Sequence, residues 1–122
     1  MQANDEQLIL LEQELNQMLL AGKAVDAFER FYAEDIVMQE NTDPPVIGKQ
    51  ANRAREEMFF GSITEFHSIE LLGWAVRDGV SYSEWVYEMT MTSGARVRMT
   101  EVSARRWRGD QIVHERFYYN PG

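Results

Sequence analysis

An α+β domain is what this sequence predicts, with helices gathered in its first half and antiparallel strands in its second. Three observations carry it. Apolar residues recur at helical spacing as far as about Phe60, they alternate with polar ones after Gly61, and Gly-containing turns cut that later stretch into strands. Such an order places helices on one face of a curved sheet.

Asn4 or Asp5 can cap a first helix on which Leu8, Leu11, Leu15, Met18 and Leu19 fall at helical spacing, and Gly22 stops it. Asp26 begins a second, "DAFERFYAED", whose Phe28, Phe31 and Tyr32 share a face. A short strand follows at Ile36–Met38. Pro44 and Pro45 forbid helix in the next turn, Gly48 ends that turn, and Lys49–Phe60 reads as a third helix with Ala51, Ala54, Met58 and Phe59 inward. Four strands then fit: Glu65–Val76, Val80–Thr92, Arg96–Trp107 and Gln111–Tyr119. They are parted by Asp78-Gly79, Ser93-Gly94 and Gly109-Asp110. The 122 residues make one domain, 1–122, with no repeat or linker.

A net charge of −8 argues against a nucleic-acid partner, whose phosphates need a basic surface. The lack of cysteine removes disulfides, thiolate nucleophiles and thiolate metal sites together. The acidic, polar start "MQANDEQ" does not read as a signal peptide, and no apolar run approaches the roughly 20 residues that span a bilayer. A cytoplasmic protein is therefore expected, with no membrane partner. Aromatic residues make up 11% and methionines number seven, enough to fill a core and also to line a pocket for a flat apolar ligand.

Strand alternation sorts the candidate residues. Ser83, Trp85, Tyr87, Met89 and Met91 share one face of their strand; Val97, Met99, Glu101, Ser103, Arg105 and Trp107 share the matching face of the next. If Thr92 pairs with Arg96, Met89 faces Met99 and Tyr87 faces Glu101. Glu84, Glu88, Arg98 and Arg106 then form a charge lattice on the other side, worth about 0–1 kcal/mol per pair. Glu101 interrupts an apolar face, and a buried carboxylate needs a donor or it protonates. Three readings follow: a structural carboxylate, a pocket acid or base, or an exposed group after a register slip. On the last strand, a three-residue loop at Arg108–Asp110 turns Glu115, Phe117 and Tyr119 inward. A two-residue loop turns His114, Arg116 and Tyr118 inward instead.

The stretches "AVDAFERFYAEDIVMQEN", "PPVIGKQAN", "YSEWVYEMTMTSG" and "MTEVSARRWRGDQIVHERFYYNP", in that order, resemble the SnoaL-like branch of the nuclear transport factor 2-like superfamily. The resemblance spans nearly the whole chain. It implies a cone-shaped α+β barrel, with the N-terminal helices packed in a strongly bent, mostly antiparallel sheet and a pocket at the open end. It further implies a homodimer through the convex sheet face. Activities on this fold include polyketide cyclases, ketosteroid isomerases, dehydratases and epoxide hydrolases beside non-enzymatic binding proteins, so fold does not settle function. The steroid isomerases keep a general-base aspartate about nine residues before the glycine ahead of the third helix. That position falls here on Gln39, an amide that cannot take a proton from carbon, with Glu40 beside it. Their acid donor on the penultimate strand falls at about Ser103, and Tyr32 stands loosely for their helical tyrosine. Only one of Gln39 and Glu40 can enter a cavity, because they alternate.

Two classes of function follow. The first is a cofactor-free enzyme moving protons on a flat carbonyl compound, by isomerisation, aldol cyclisation or dehydration. Glu40 or Glu101 is its base, and Tyr87, Tyr119 or Tyr32 donates to the developing oxyanion. Tyr32, Met38, Met58, Phe59, Trp85, Tyr87, Met99, Ser103, Glu115 and Tyr119 are the candidate ligand contacts. The second is a non-catalytic ligand-binding or dimerisation module, favoured if Met and Trp side chains fill the cavity and Arg105 or Arg116 neutralises Glu101. His67 and His114 have no metal-ligand spacing with the acids and read as strand residues, although His67 near a pocket could act as acid or base.

Overall fold

The side chain of Asn4 opens the first helix. Its Oδ1 accepts from the Gln7 N–H at 2.8 Å while the Gln7 side chain reaches back to the Asn4 N–H, so both ends of a capping box are present. The computed structural model describes residues 4–122, and the first three residues of the polar start lie outside them. Helix α1 runs Asp5–Leu20 and buries Leu8, Glu12, Leu15 and Asn16. Gly22, at φ 77°, turns the chain away in a conformation that favours glycine.

Helix α2 (Ala24–Phe31) ends sooner than its sequence suggests, because Tyr32 turns extended and starts strand β1 (Tyr32–Glu40). Helix propensity in "YAED" is overridden by pairing. Tyr32 lies opposite Ile112 of the last strand, and Tyr32, Ala33 and Ile36 are buried. A two-residue strand β2 (Val46–Ile47) pairs back on β1. Helix α3 (Lys49–Gly61) starts where expected and runs one residue longer, but it has a different inner face. Lys49 and Asn52 are buried, Ala51 and Ala54 are exposed, and Met58 is 76% exposed. The inner side of this helix borders a cavity and carries polar residues, so apolar spacing does not mark it.

Strands β3 (Ile63–Arg77), β4 (Val80–Met91), β5 (Arg96–Arg108) and β6 (Gln111–Tyr119) follow. The six strands form one open sheet in the order β2-β1-β6-β5-β4-β3, parallel between β1 and β6 and antiparallel elsewhere. With three helices on it, this is the expected α+β cone, left open between its edge strands β2 and β3. Register shifts at three points of β3 bend that strand. At the β3–β4 turn, Asp78 and Gly79 both have positive φ, the conformation tight hairpins favour. The Asp5 carboxylate accepts from both of their N–H groups at 3.1 Å, which ties α1 to the sheet.

Two registers differ from expectation. Arg96 pairs with Thr90 instead of Thr92, so Tyr87 faces Met99 and Trp85 faces Glu101. Thr92 leaves the ladder because its N–H donates to the Ser62 carbonyl at 2.8 Å, while Met91 N–H closes the loop onto Ala95. A slip of two residues keeps every side chain on its face. At the β5–β6 turn Arg108 pairs with Gln111, a two-residue turn that alone would turn His114 inward. An irregularity between Trp107–Ile112 and Arg106–His114 takes up one residue, and Glu115 comes to the inner face opposite Arg105.

Leu8, Leu15, Phe31, Ile36, Trp107 and Ile112 form the heart of the core. Phe31 meets Trp107 edge-on at 6.0 Å, and the buried Trp107 Nε1–H donates to Ser81 Oγ at 2.8 Å.

Candidate functional site

Beside that core a cavity of about 600 Å³ opens between α3, the end of α1, α2 and the inner face of the sheet. Most of its wall is apolar, with Leu19, Phe28, Phe66, Ile69, Met89 and Met99 among its residues. Into it project Glu40, Arg55, Glu56, Glu101, Ser103, Arg105 and Glu115, with the tyrosines 32, 87 and 119. A few polar groups on an apolar concave wall are the usual make-up of a small-molecule site.

Glu40 enters the cavity and Gln39 does not. The Gln39 amide donates to the Asp43 carbonyl at 3.0 Å, while Glu40 pairs with Arg55 of α3. Asn41 locks this end of β1: its N–H donates to the Phe117 carbonyl at 2.8 Å and its side chain accepts from Tyr119 N–H at 3.0 Å. Asn41 itself sits at φ 51°, a region where Asn is among the more tolerant residues. Helix α3 is aimed by Asn52, whose buried side chain donates to the Val46 and Gly48 carbonyls at 3.0 and 2.9 Å. Its start is held to α2 by Lys49 Nζ on the Glu29 carbonyl at 2.8 Å and by Arg53 on the Glu29 carboxylate at 2.6 and 2.9 Å.

The buried Arg105 guanidinium organises the floor. Its Nε donates to Glu115 Oε2 at 2.6 Å, and its Nη1 reaches Glu12 Oε2 at 2.9 Å and Ser83 Oγ at 3.1 Å. Tyr32 completes the set by donating its hydroxyl to Glu115 Oε1 at 2.5 Å. Charges this deep are tolerated only when paired and hydrogen-bonded. Burial pushes the Glu115 carboxyl above its ordinary range, and Arg105 and Tyr32 oppose that push.

Glu101 is treated differently. It is 9% exposed, lines the cavity and, among the described residues, its side chain makes no hydrogen bond. Burial, then the charge of Glu115, raises its carboxyl to about 8, with Arg105 opposing. Across the cavity, burial and Glu115 raise Glu56 to about 7, with Arg55 opposing. Tyr87 and Tyr119 stay protonated beside them. Burial and Glu101 push Tyr87 well above its usual range, while burial and Glu40 raise Tyr119 to about 12.

Ten of the twelve residues singled out from sequence line this one cavity: Tyr32, Met38, Glu40, Phe59, Tyr87, Met99, Glu101, Ser103, Glu115 and Tyr119. Two lie outside its wall. Met58 points to solvent because the inner side of α3 lies elsewhere, and Trp85 is fully buried behind Tyr87, stacking on it and donating Nε1–H to Ser83 at 2.8 Å. Neither Arg105 nor Arg116 neutralises Glu101, since Arg116 donates to the Asn41 carbonyl at 2.9 Å. On the convex face Glu88 faces Arg98, with 3.8 Å between charged atoms, but Glu84 faces Val102 instead of an arginine. His67 stands away from the cavity, bonded to Thr90 Oγ1 at 2.7 Å. Sequence reasoning missed Asn52, Arg55 and Glu56. Their polar stripe on a helix bordering the sheet was the available signal. Among the described residues, no group of three metal-ligating side chains converges, and no helix is long and apolar enough to cross a membrane.

Comparison with known proteins fits this architecture. Residues 13–115 match the model of a SnoaL-like domain. A search of curated sequences gives no match. Among solved structures, a Mesorhizobium loti protein described as a SnoaL-like polyketide cyclase superposes with a TM-score of 0.82 at 25% identity, covering 92% of this chain and 98% of that one. A polyketide cyclase-like protein from Xanthomonas campestris gives 0.78 at 19% identity, over 97% and 93% of the chains. A Catenulispora acidiphila protein with a ketosteroid isomerase-like fold, in complex with trimethylamine, gives 0.74 at 16%, over 88% and 86%. The match over residues 13–115 and the shared cone place the chain in the SnoaL-like domain family of the nuclear transport factor 2-like superfamily.

Proposed function

We propose that this protein is a cofactor-free enzyme of the cyclase and isomerase kind, moving a proton on an apolar carbonyl compound held in the cavity. The observation that carries the reading is Glu101, a cavity-facing carboxyl without a cation or donor of its own, between strands that present Tyr87 and Tyr119. A carboxyl raised to about 8 is close to the optimum for exchanging protons near neutral pH. Glu40 is less suited to be the base because it is engaged by Arg55, and the Tyr32 hydroxyl is committed to Glu115.

In this scheme ionised Glu101 takes a proton from the carbon next to the carbonyl. Tyr87 or Tyr119 donates a hydrogen bond to the enolate oxygen as charge builds there, as an oxyanion hole does. Return of the proton from Glu101 to another carbon completes an isomerisation. Attack of the enolate carbon on a second carbonyl of the same molecule closes a ring instead, and Glu101 then gives its proton to the new alkoxide. The apolar wall keeps competing water away.

The convex face is proposed to pack against a second copy. Tyr82 and Tyr118 are exposed there beside Ala104 and Val102, and the Glu88–Arg98 pair lies further along the same strands. Arg98→Glu should then weaken association in sedimentation, and an unchanged sedimentation profile would exclude that interface.

A thermal-shift screen against flat aromatic and steroid-like carbonyl compounds tests the enzyme reading, repeated with Glu40→Gln and Glu101→Gln. A ligand at 100 times its Kd adds about 2.7 kcal/mol of stability. Turnover of a hit that Glu101→Gln abolishes supports the proposal. Binding without turnover across the panel would make the protein a ligand-binding module.

A further inference from the structure

The carboxyls around the cavity outnumber the cations. Glu12, Glu40, Glu56, Glu101 and Glu115 stand in its wall or directly behind it, against the guanidiniums of Arg55 and Arg105. Arg55 is matched by Glu40, and Arg105 is shared between Glu12 and Glu115. Glu56 and Glu101 are left without an ion pair among the described residues. An uncompensated carboxylate in a dry pocket has two remedies, a proton or a positive ligand. The surroundings suit the second. The Phe66 and Tyr87 rings meet edge-on at 6.2 Å in the same wall, and Phe28, Phe59, Phe117 and Tyr119 also line it. Aromatic faces attract weakly hydrated cations.

We propose that the natural ligand carries a positive charge, a protonated amine or alkylammonium group on an apolar skeleton, seated beside Glu101 with Glu56 as the second countercharge. The inference names the substrate class of the site described above and rests on that cavity being the ligand site. It also gives the base its trigger. In the empty cavity burial keeps Glu101 protonated near neutral pH. A bound cation favours the carboxylate, the Glu101 proton leaves to solvent, and the resulting base faces the substrate that created it.

The groups facing Glu101 from each packed element are consistent with this linkage. They are Tyr87 of β4, Arg105 of β5, Glu115 and Tyr119 of β6, Tyr32 and Glu40 of β1, and Arg55 and Glu56 of α3, with Glu12 of α1 behind Arg105. From α2 and β3 only uncharged side chains line the cavity, including Ala27, Phe28, Phe66 and Ile69. No cation in that set is free to take the place of a ligand's charge.

Isothermal titration with benzyltrimethylammonium, whose charge is fixed, tests the proposal against 4-phenylbutan-2-one, a neutral carbonyl compound of similar size. The cation should bind about tenfold more tightly at pH 8.5 than at pH 6, since it must displace carboxyl protons at the lower pH. Proton release should show as a binding heat that differs between phosphate and Tris buffers. Glu101→Gln should weaken the cation at least about tenfold and flatten its pH dependence while leaving the ketone within about threefold. Glu56→Gln should do the same more mildly. A cation affinity that is flat with pH, or unchanged in Glu101→Gln, overturns the proposal. If the ketone binds and the cation does not, the charged-ligand inference falls and the carbonyl chemistry stands. If neither binds, both fall.

Discussion

Arg105 Nε donates to Glu115 Oε2 at 2.6 Å, and that bond decides the character of Glu101 four residues earlier on β5 in sequence and two inward steps along the strand. With Nη1 on Glu12 and Ser83, none of the guanidinium's hydrogen bonds goes to the cavity carboxyl. One acid is thereby fixed as structure and the other is left free to titrate. Arg105→Met should accordingly cost about 3–5 kcal/mol in chemical denaturation, because Glu12 and Glu115 lose their common cation. A cost below about 1 kcal/mol would mean the three groups are not a buried ionic unit.

Tyr32→Phe removes the only hydroxyl bonded to Glu115 Oε1 among the described residues and leaves a buried acceptor short of a donor. About 1–3 kcal/mol of stability should go with it. Met58→Ala on the exposed side of α3 should change stability by less than about 0.5 kcal/mol, which checks the helix's orientation. Thermal or urea melts of the two variants side by side give both answers.

Stability should fall as pH rises from about 5 to 8.5. Between the ordinary carboxyl value of 4.5 and about 8, the folded chain holds a proton on Glu101 that the unfolded chain has released. Glu56 contributes in the same direction between 4.5 and about 7. The stabilisation is complete below 4.5 and gone above the folded value, on the order of 5 kcal/mol for Glu101. Urea midpoints across this range would measure it, and Glu101→Gln should flatten the curve. A wild-type curve that is already flat would mean that Glu101 ionises as it does in water.

Much of the sheet was legible because its faces obey a strict period. Trp85, Met89, Glu101, Ser103 and Arg105 sit on the inner side as alternation predicts, even though the hairpin register is two residues off. The irregularity near Ile112 was not legible: no glycine marks it, and tertiary packing of Ile112 and Glu115 fixes it. Helix α3 misled for a related reason. A helix over a hydrophobic core shows an apolar stripe, but this one borders a cavity and turns polar residues to it, Asn52, Arg55 and Glu56. The aspartate position of the steroid isomerases was found in the chain as Gln39, yet the cavity takes its neighbour Glu40, because the strand's alternation points Glu40 inward and Gln39 to the Asp43 carbonyl.

Glu101 is expected to gain and lose its proton near neutral pH inside the cavity. Carboxyl 13C NMR of protein labelled at its glutamates, with Glu101 assigned by its absence in Glu101→Gln, measures this directly. A titration midpoint at about 8, moving down when a cationic ligand is bound, is what the structure predicts. A midpoint near the ordinary 4.5 would make Glu101 a solvated carboxylate with no special part in the cavity.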